Sequence, residues 1–319
     1  MTRTETDAAR IIETVVCVPT FRRPEHLART LDSLVAQSFD RPFAVVVVEN
    51  EPAPMQGSAV AEAYLVGGRL SGLCVTESRQ GNVFAINTAF DTALAAYPDA
   101  RFFLMIDDDE VAEPDWLARM VGAAEASGAG VVGGPVWLSL GREAKPGLAC
   151  HPAFLPAYTE SGPVPLIYGS GNCLVTRETF EGLGLPAFDV GYNFLGGGDA
   201  DFFARARRAQ VRFHWVAEAI ITETVPPLRT TLGWLAARAL RTGAINYRIE
   251  CKHAEGLAGR AGIGLKSVAM IPVALLRALR LLAGTRDVRI AINPILIVAG
   301  RWLAAVGIEP QPYRAPAAR

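Results

Sequence analysis

Residues 102–110 read Phe-Phe-Leu-Met-Ile-Asp-Asp-Asp-Glu, an unbroken apolar run that leads straight into four acids. Such a run, bounded by polar residues, fits a strand covered on both faces, the setting of a parallel sheet. In an open α/β sheet, ligands bind outside the carboxyl ends of the strands, so Asp107, Asp108, Asp109 and Glu110 stand where a site is expected. Four adjacent carboxylates repel one another and need a counter-charge. A divalent cation supplies it, and hard carboxylate oxygens suit Mg2+ or Mn2+. The plainer alternative is a solvated acidic turn before the next helix.

The pattern continues on both sides of this stretch. Residues 14–19 (TVVCVP) form a β-branched run closed by proline, followed by a loop over 20–24. Residues 25–37 have helical spacing, with Leu27, Leu31, Leu34 and Val35 on one face. Residues 43–48 (FAVVVV) read as a second buried strand, 87–96 as a helix, 114–127 as another helix and 130–136 as a strand. Strands alternating with helices predict an α/β fold with a mostly parallel sheet flanked by helices. Residues 141–165 are irregular, with prolines at 146, 152, 156, 163 and 165, and a loop that long is usually functional or mobile. Regular structure is expected to resume at Leu174, with helices over 200–210 and 231–248.

The chain has 319 residues, half of them apolar and 20% charged, which suffices for a large core in one or two domains and excludes a disordered chain. Thirty-one basic residues against 32 acidic leave a net charge of −1, so no global field points to nucleic acid. The distribution is uneven: residues 260–319 hold nine Lys/Arg and two acids, a local +7. Residues 262–283 are apolar apart from Lys266, Arg277 and Arg280, which fall within an arc of about 60° on a helix. Arg286, Arg289 and Arg301 span about 120° on a second segment. A cationic stripe on an apolar helix suits an element lying in a membrane interface, with the cations at lipid phosphates. Two capping helices with outward arginines are the other reading. Pro272 and Pro294 interrupt both segments, and no window holds 18 uninterrupted apolar residues, so a spanning helix is not expected. Five scattered cysteines without Cys-x-x-Cys spacing read as reduced thiols, and from the polar start a secretory signal is not expected. These features predict a cytoplasmic protein, peripheral on the inner face of the membrane.

A second cluster, Gly196-Gly197-Gly198-Asp199-Ala200-Asp201, combines glycines that allow close approach with acids at the start of a helix. Asp199 there serves equally as a cap or as a general base, and the helix N-terminus would favour its ionised form.

Five segments now stand in a fixed order: Val18-Pro19-Thr20-Phe21-Arg22-Arg23-Pro24, Val48-Glu49-Asn50, Glu77-Ser78-Arg79-Gln80-Gly81-Asn82, Ile106-Asp107-Asp108-Asp109 and Gly197-Gly198-Asp199-Ala200-Asp201. In order and spacing, from Thr14 to Arg248, the chain resembles the family 2 glycosyltransferases of GT-A fold. It is similar in particular to bacterial enzymes that extend lipid-linked exopolysaccharide units, such as the succinoglycan-assembly glucosyltransferases. The resemblance implies that Pro19, Thr20 and Arg22 line a nucleotide pocket and that Glu49, where most relatives carry Asp, holds the uracil edge or ribose. Arg79, Gly81 and Asn82 would lie beside the nucleotide or its sugar. The DxD-type motif maps to Asp107 and Asp109, with Asp108 between them in the donor site and Asp109 holding the metal and, through it, the diphosphate. Asp199 falls on the family's catalytic base, with Gly198 in place of the usual preceding Glu. Glu223 stands where many relatives carry a metal-binding His. Arg229, Trp234, Arg238 and Arg241 loosely match a segment that closes over diphosphate or acceptor.

The implied activity is inverting, metal-dependent transfer of a sugar from a nucleotide-sugar, UDP-linked, to a hydroxyl of a glycan or polyprenyl-linked acceptor in cell-surface polysaccharide synthesis. The implied organisation is a tail over 1–13, a GT-A domain over 14–225, a helical closing segment over 226–259 and membrane-associating helices over 260–319. The residue types agree with this chemistry. A metal neutralises charge on the departing diphosphate, and a carboxylate takes the acceptor proton from the opposite face. No covalent nucleophile is needed, and no Cys/His dyad or histidine with ligand spacing is present. A sugar nucleotidyltransferase would carry a Gly-rich loop where this chain reads Pro-Thr-Phe-Arg-Arg. A phosphatase with an Asp nucleophile would place its acids near the first strand, and no P-loop motif exists. A catalytically inactive, membrane-attached scaffold remains the non-enzymatic alternative, favoured by Gly198 and the missing His.

Overall fold

A computed structural model describes residues 11–51, 53–140 and 147–310. The polar start over 1–10, Pro146 and the terminal arginines 314 and 319 lie outside the described residues. In chain order the elements are β1 (Thr14–Thr20), α1 (Pro24–Val35), β2 (Phe43–Glu49), α2 (Gln56–Val66), β3 (Gly72–Thr76), α3 (Asn82–Ala96) and β4 (Phe102–Met105). There follow β5 (Glu110–Ala112), α4 (Trp116–Ser127), β6 (Val131–Gly133), β7 (Val136–Leu140), β8 (Gly162–Val164), β9 (Cys173–Thr176) and α5 (Arg177–Leu183). The last third holds α6 (Gly198–Arg208), β10 (Phe213–Trp215), β11 (Ile221–Val225), α7 (Leu232–Lys252), α8 (Gly256–Thr285), α9 (Val288–Ala291) and α10 (Asn293–Ala305).

The main sheet has the order β3-β2-β1-β4-β9-β6-β10-β8. β9 runs antiparallel to both β4 and β6, and β8 antiparallel to β10; the remaining pairs are parallel. Every residue of β1 is buried, and successive side chains feed opposite faces. Val15 and Cys17 pack with Phe90 of α3 and Phe202 and Phe203 of α6. Val16 and Val18 pack with Leu27, Leu31 and Leu34 of α1 and Trp116 of α4. Each leucine buried this way contributes about 2 kcal/mol of transfer free energy. Helices on both faces thus explain the apolar runs, and they leave the carboxyl ends of the strands as the open edge.

A smaller sheet, β5-β11-β7, sits beside that edge. Its β11 pairs antiparallel with β5 and parallel with β7. The single strand expected over 130–136 is therefore two strands, β6 and β7, one in each sheet. Val35, expected on the buried face of α1, is exposed. α3 starts at Asn82, five residues earlier than the periodicity indicates, because Asn193 accepts from Val83 N at 3.2 Å and so caps it from far along the chain. The irregular stretch contains a 3-10 turn, Leu148–Cys150, and the edge strand β8.

The C-terminal helices differ from expectation in three ways. α8 runs through Pro272 without a break, and Pro294 sits in the first turn of α10, where proline is favourable. Two helical stretches, 256–285 and 288–305, are long and apolar enough to cross a membrane by length and composition, a test that core helices also pass. Arg301, read as part of a lipid-facing stripe, instead points inward. It is 1% exposed and bonds Glu250 at 2.7 and 3.1 Å and Ser267 at 3.1 and 3.3 Å. The reason is glycine. Gly243 of α7 and Gly300 of α10 are both buried, and a Cβ on either would overlap the backbone of the other helix. This close crossing turns the Arg301 face of α10 toward α7.

Candidate active site

β1 and β4 end side by side, which brings the loop after Thr20 against the acids after Ile106. Asp108 accepts from Thr20 Oγ1 at 2.8 Å and from Phe21 N at 3.2 Å. Arg23 donates to Asp108 at 3.2 Å and to Asp109 at 2.5 Å. Thr30 Oγ1 on α1 reaches the carbonyls of Asp108 and Glu110 at 3.0 and 2.6 Å. Asp108 therefore clasps the first loop, and Arg23 partly neutralises the cluster, a role its place in the sequence motif did not reveal.

The small sheet adds a further carboxylate. Glu223 on β11 stands directly opposite Glu110 on β5 in the antiparallel ladder. Glu110 is buried and accepts from Asp107 N at 2.8 Å, and Glu223 pairs with Arg229. Burial first, and then the neighbouring Asp109, Asp108 and Glu223 charges, push the Asp107 carboxyl up to about 8, against the pull of Arg23. Glu110 is driven well above its ordinary value by burial and by Asp107, and Glu223 rises through burial and Asp109. The cluster is thus short of positive charge, even with Arg23 and Arg229 in place. Among the described residues, no three His, Cys, Asp or Glu side chains are gathered into a ready metal cage.

On the other flank, Glu49 at the end of β2 is buried and accepts from Glu51 N and Ser58 N, both at 3.1 Å. Gly57 is needed there, since a Cβ would stand 2.6 Å from Glu49 Oε2 and 2.8 Å from Thr20 Cγ2. Arg22, in a left-handed backbone conformation, is exposed and pairs with Glu51. Asn50 ties down the loop after β3. It donates to the carbonyls of Glu77 and Arg79 at 2.8 Å and accepts from Gly81 N at 2.9 Å. Arg79 grips Glu77 at 2.7 Å and lies over the Phe84 ring, while Asn82 is exposed at the head of α3. Asn193 donates to Gln80 O at 3.0 Å, closing this loop from the opposite side. Neither Asn50 nor Asn193 was singled out by sequence reasoning; Asn50 lay inside a quoted motif, and Asn193 had no local signal.

Asp199 lies in the first turn of α6, after Gly196 and Gly197 at φ +81° and +88°. A side chain at 197 would meet Ile245 of α7 at 2.6 Å, and one at 198 would meet Phe188 and Val83 at 3.1 Å. The packing therefore leaves little space for a side chain at 198. The helix N-terminus is not the dominant influence on the Asp199 carboxyl, whose net shift is upward. Burial raises its carboxyl and outweighs the N–H groups of Ala200 and Asp199 and the charges of Arg241 and Arg238. Burial also raises the Cys173 thiol at the start of β9, and Asp199, Asp107, Cys17 and Glu110 all add to it. On α7, the Trp234 ring has Arg229 at 5.9 Å and Arg238 at 5.4 Å from its centroid.

A family model for glycosyl transferase family 2 matches residues 15–168. The Succinoglycan biosynthesis protein ExoM of Rhizobium meliloti (strain 1021) is 31% identical over 249 residues, 77% of each chain. The mannosyltransferase PcManGT from Pyrobaculum calidifontis, solved with GDP-Man and Mn2+, superposes with a TM-score of 0.61 at 18% identity, covering 93% of this chain and 88% of that one. S. aureus TarS 1–349 in complex with UDP-GlcNAc gives a TM-score of 0.52 at 13% identity, over 93% and 92% of the two chains. Against a longer TarS chain the match spans 43% of its length. These structural likenesses establish a shared GT-A fold. With that fold, the family match across β1 to β8 and the identity to ExoM over three quarters of both chains, this protein belongs to glycosyl transferase family 2.

Proposed function

We propose that this protein is an inverting glycosyltransferase that moves a sugar from a nucleotide-sugar donor, UDP-linked, to a hydroxyl of a glycan or lipid-linked acceptor during assembly of a cell-surface polysaccharide. The observation that carries this reading is the carboxylate cluster at the carboxyl end of β4, where Asp108 and Asp109 share Arg23 and Glu223 on β11 stands opposite Glu110 on β5, together with Asp199 in the first turn of α6. The name of the ExoM relative supports polysaccharide assembly, and the UDP-GlcNAc and GDP-Man complexes of the neighbours support a nucleotide-sugar donor.

The acidic cluster fits Mn2+ or Mg2+. Its donors are hard oxygens and it lacks positive charge. With no three-ligand cage among the described residues, Asp109 and Asp107 would share the ion with diphosphate oxygens, the usual Mg2+ arrangement, with Glu223 at the rim. When bound, the ion offsets charge on the departing diphosphate. Pro19, Thr20, Arg22, Glu49, Arg79, Gly81 and Asn82 line the nucleotide side in this reading. Each Glu49 oxygen accepts one N–H and keeps a lone pair for a ribose hydroxyl. Asp199 takes the acceptor proton, and its raised pKa brings it closer to neutral pH, where a general base works best.

The tail fits a membrane surface. On α8, Ile263, Ser267, Ala274 and Ala278 are buried, while Leu265, Val268, Ile271, Leu275, Leu279 and Leu282 are exposed. With Val273 and Leu276, which are exposed as well, the apolar set spans an arc of about 200°, and Lys266, Arg277 and Arg280 lie at one margin of it, between the exposed apolar face and the buried one. An in-plane helix accommodates both faces; a spanning one would strand Arg277 and Arg280 among acyl chains.

The test combines a thermal-shift panel of UDP-, GDP- and dTDP-sugars with Mn2+ and the Asp199→Asn variant. Nucleotide release from the best donor should fall by about 10²–10⁴-fold while donor affinity stays near wild type. Full activity in Asp199→Asn would overturn the assignment of the base.

A further inference from the structure

The mechanism above does not use Asp201, yet this is the most thoroughly enclosed carboxylate near the site. Its side chain is fully buried against two cations and an imidazole. Lys252 Nζ lies 2.8 and 2.9 Å from its two oxygens, Arg205 Nε at 3.1 Å and His253 Nε2 at 3.8 Å. The same ammonium reaches Asp189 Oδ2 at 2.7 Å and stands 5.6 Å from the centre of the Tyr192 ring. Lys252 is the last residue of α7, and Asp201 sits at the head of α6, its N–H bonded to Gly197 O at 3.0 Å. Asp189 opens the turn that carries Asn193, the residue clasping the donor-side loop. One ammonium therefore joins the base-bearing helix, the Asn193 turn and the end of α7.

The head of α6 needs such an anchor. Three glycines precede Asp199, two with positive φ, and the helix has no side-chain N-cap. Glycine backbone is freely variable, so the local sequence cannot fix the rotation or height of the first turn. Arg205 lies four residues along the same helix and also donates to Ala187 O. Lys252 adds the restraint from a separate helix.

We propose that Lys252 is a positioning residue for catalysis. Through Asp201 it sets the first turn of α6, and with it the direction of the Asp199 carboxylate. This inference rests on Asp199 being the base. Asp199 and Asp201 are two residues apart on one rigid turn, about 3 Å along the axis, so a shift of one carries the other.

The experiment uses the full chain and the donor selected by the panel, with nucleotide release as the readout. Lys252→Met should lower kcat by about 10- to 100-fold, the usual cost of misplacing a reacting group by an ångström, while donor KM changes less than about twofold. Lys252→Gln retains a hydrogen-bond donor and hence the fold, and should show the same split. Lys252→Arg should recover most of the lost kcat. The double variant Lys252→Met/Asp201→Asn should be no slower than Asp201→Asn alone. Wild-type kcat in folded Lys252→Met or Lys252→Gln would overturn the proposal, since a purely structural pair lowers Tm without touching turnover. Losses that multiply in the double variant would also overturn it. The base assignment fails separately, through an active Asp199→Asn.

Discussion

The crossing of α7 and α10 offers a sharp perturbation, Gly243→Ala. A methyl at 243 overlaps the Ile297 carbonyl oxygen and stands 2.9 Å from Arg301 N and from Ile297 C. These are backbone atoms, so no side-chain rotation relieves the clash. Such contacts settle at about 3.5 Å, and the overlap with the carbonyl oxygen is the deepest, so α10 must retreat by about 1.5 Å. Arg301 rides on that part of α10, and its bonds to Glu250 at 2.7 and 3.1 Å would stretch to near or beyond the hydrogen-bond limit of about 3.5 Å. Overpacking alone costs about 1–3 kcal/mol, and a buried charge that loses its partner costs about 3–5 kcal/mol. Because the long arginine side chain can follow part of the shift, a net loss of about 3 kcal/mol is expected. At roughly 2–4 °C per kcal/mol, thermal unfolding of the full chain should shift down by about 6–12 °C. Gly264→Ala, on the exposed face of α8 with open space around it, is the control. It should stabilise by up to about 1 kcal/mol through helix propensity alone. A Gly243→Ala protein melting at or above wild type would refute the crossing and the inward turn of Arg301 that follows from it.

Asp109→Ala should remove the Mn2+-dependent part of UDP affinity in calorimetry with and without EDTA. The fold should hold, because Arg23 keeps Asp108; equal affinities in wild type and variant would cancel the metal assignment. Arg79 above all, then Thr88, holds the Glu77 carboxyl at about 2 against an ordinary 4.5. A depressed carboxylate contributes stability above its unfolded pKa and loses it as pH falls through the folded value. The urea midpoint of wild type should therefore drop between pH 4.5 and 2 more steeply than that of Glu77→Gln, and parallel curves would contradict the pairing. The full chain should bind anionic vesicles at low salt and less at high salt, and Gln at 265, 275 and 279 should release it. If the full chain ignores such vesicles, α8 is a capping helix. Deletion beyond Arg260 is a poorer test, because it strips α10 from α7.

The sequence read well where burial dominates. β1, β2, β4, α1 and α4 are long apolar or strongly periodic stretches, and the acid cluster follows one of them. β5 and β11 did not read, because three to five residues containing Glu and Thr carry little periodicity and their pairing joins Glu110 to Glu223 across the chain. Arg23 was visible as a letter but not as a counter-ion, since its reach depends on the left-handed turn at Arg22. Arg301 was placed on a lipid-facing stripe because periodicity reports which residues share a face and not which face is covered. Asp199 was expected to be ionised because the helix terminus is legible in a sequence, whereas the burial that opposes it is not.

The strand order also has a consequence for synthesis. The half-sheet β3-β2-β1-β4 is complete once Met105 has left the ribosome, but the far edge of β4 waits for Cys173–Thr176. At about 5–20 residues per second, the intervening stretch takes about 3 to 14 seconds. Throughout that interval Phe-Phe-Leu-Met presents unpaired backbone and apolar side chains, a template on which a second nascent chain can add. Premature stops or slow codons between residues 106 and 172 should therefore cost far more soluble protein than the same lesions placed after β9. The interrupted sheet makes the timing of β9 a determinant of yield.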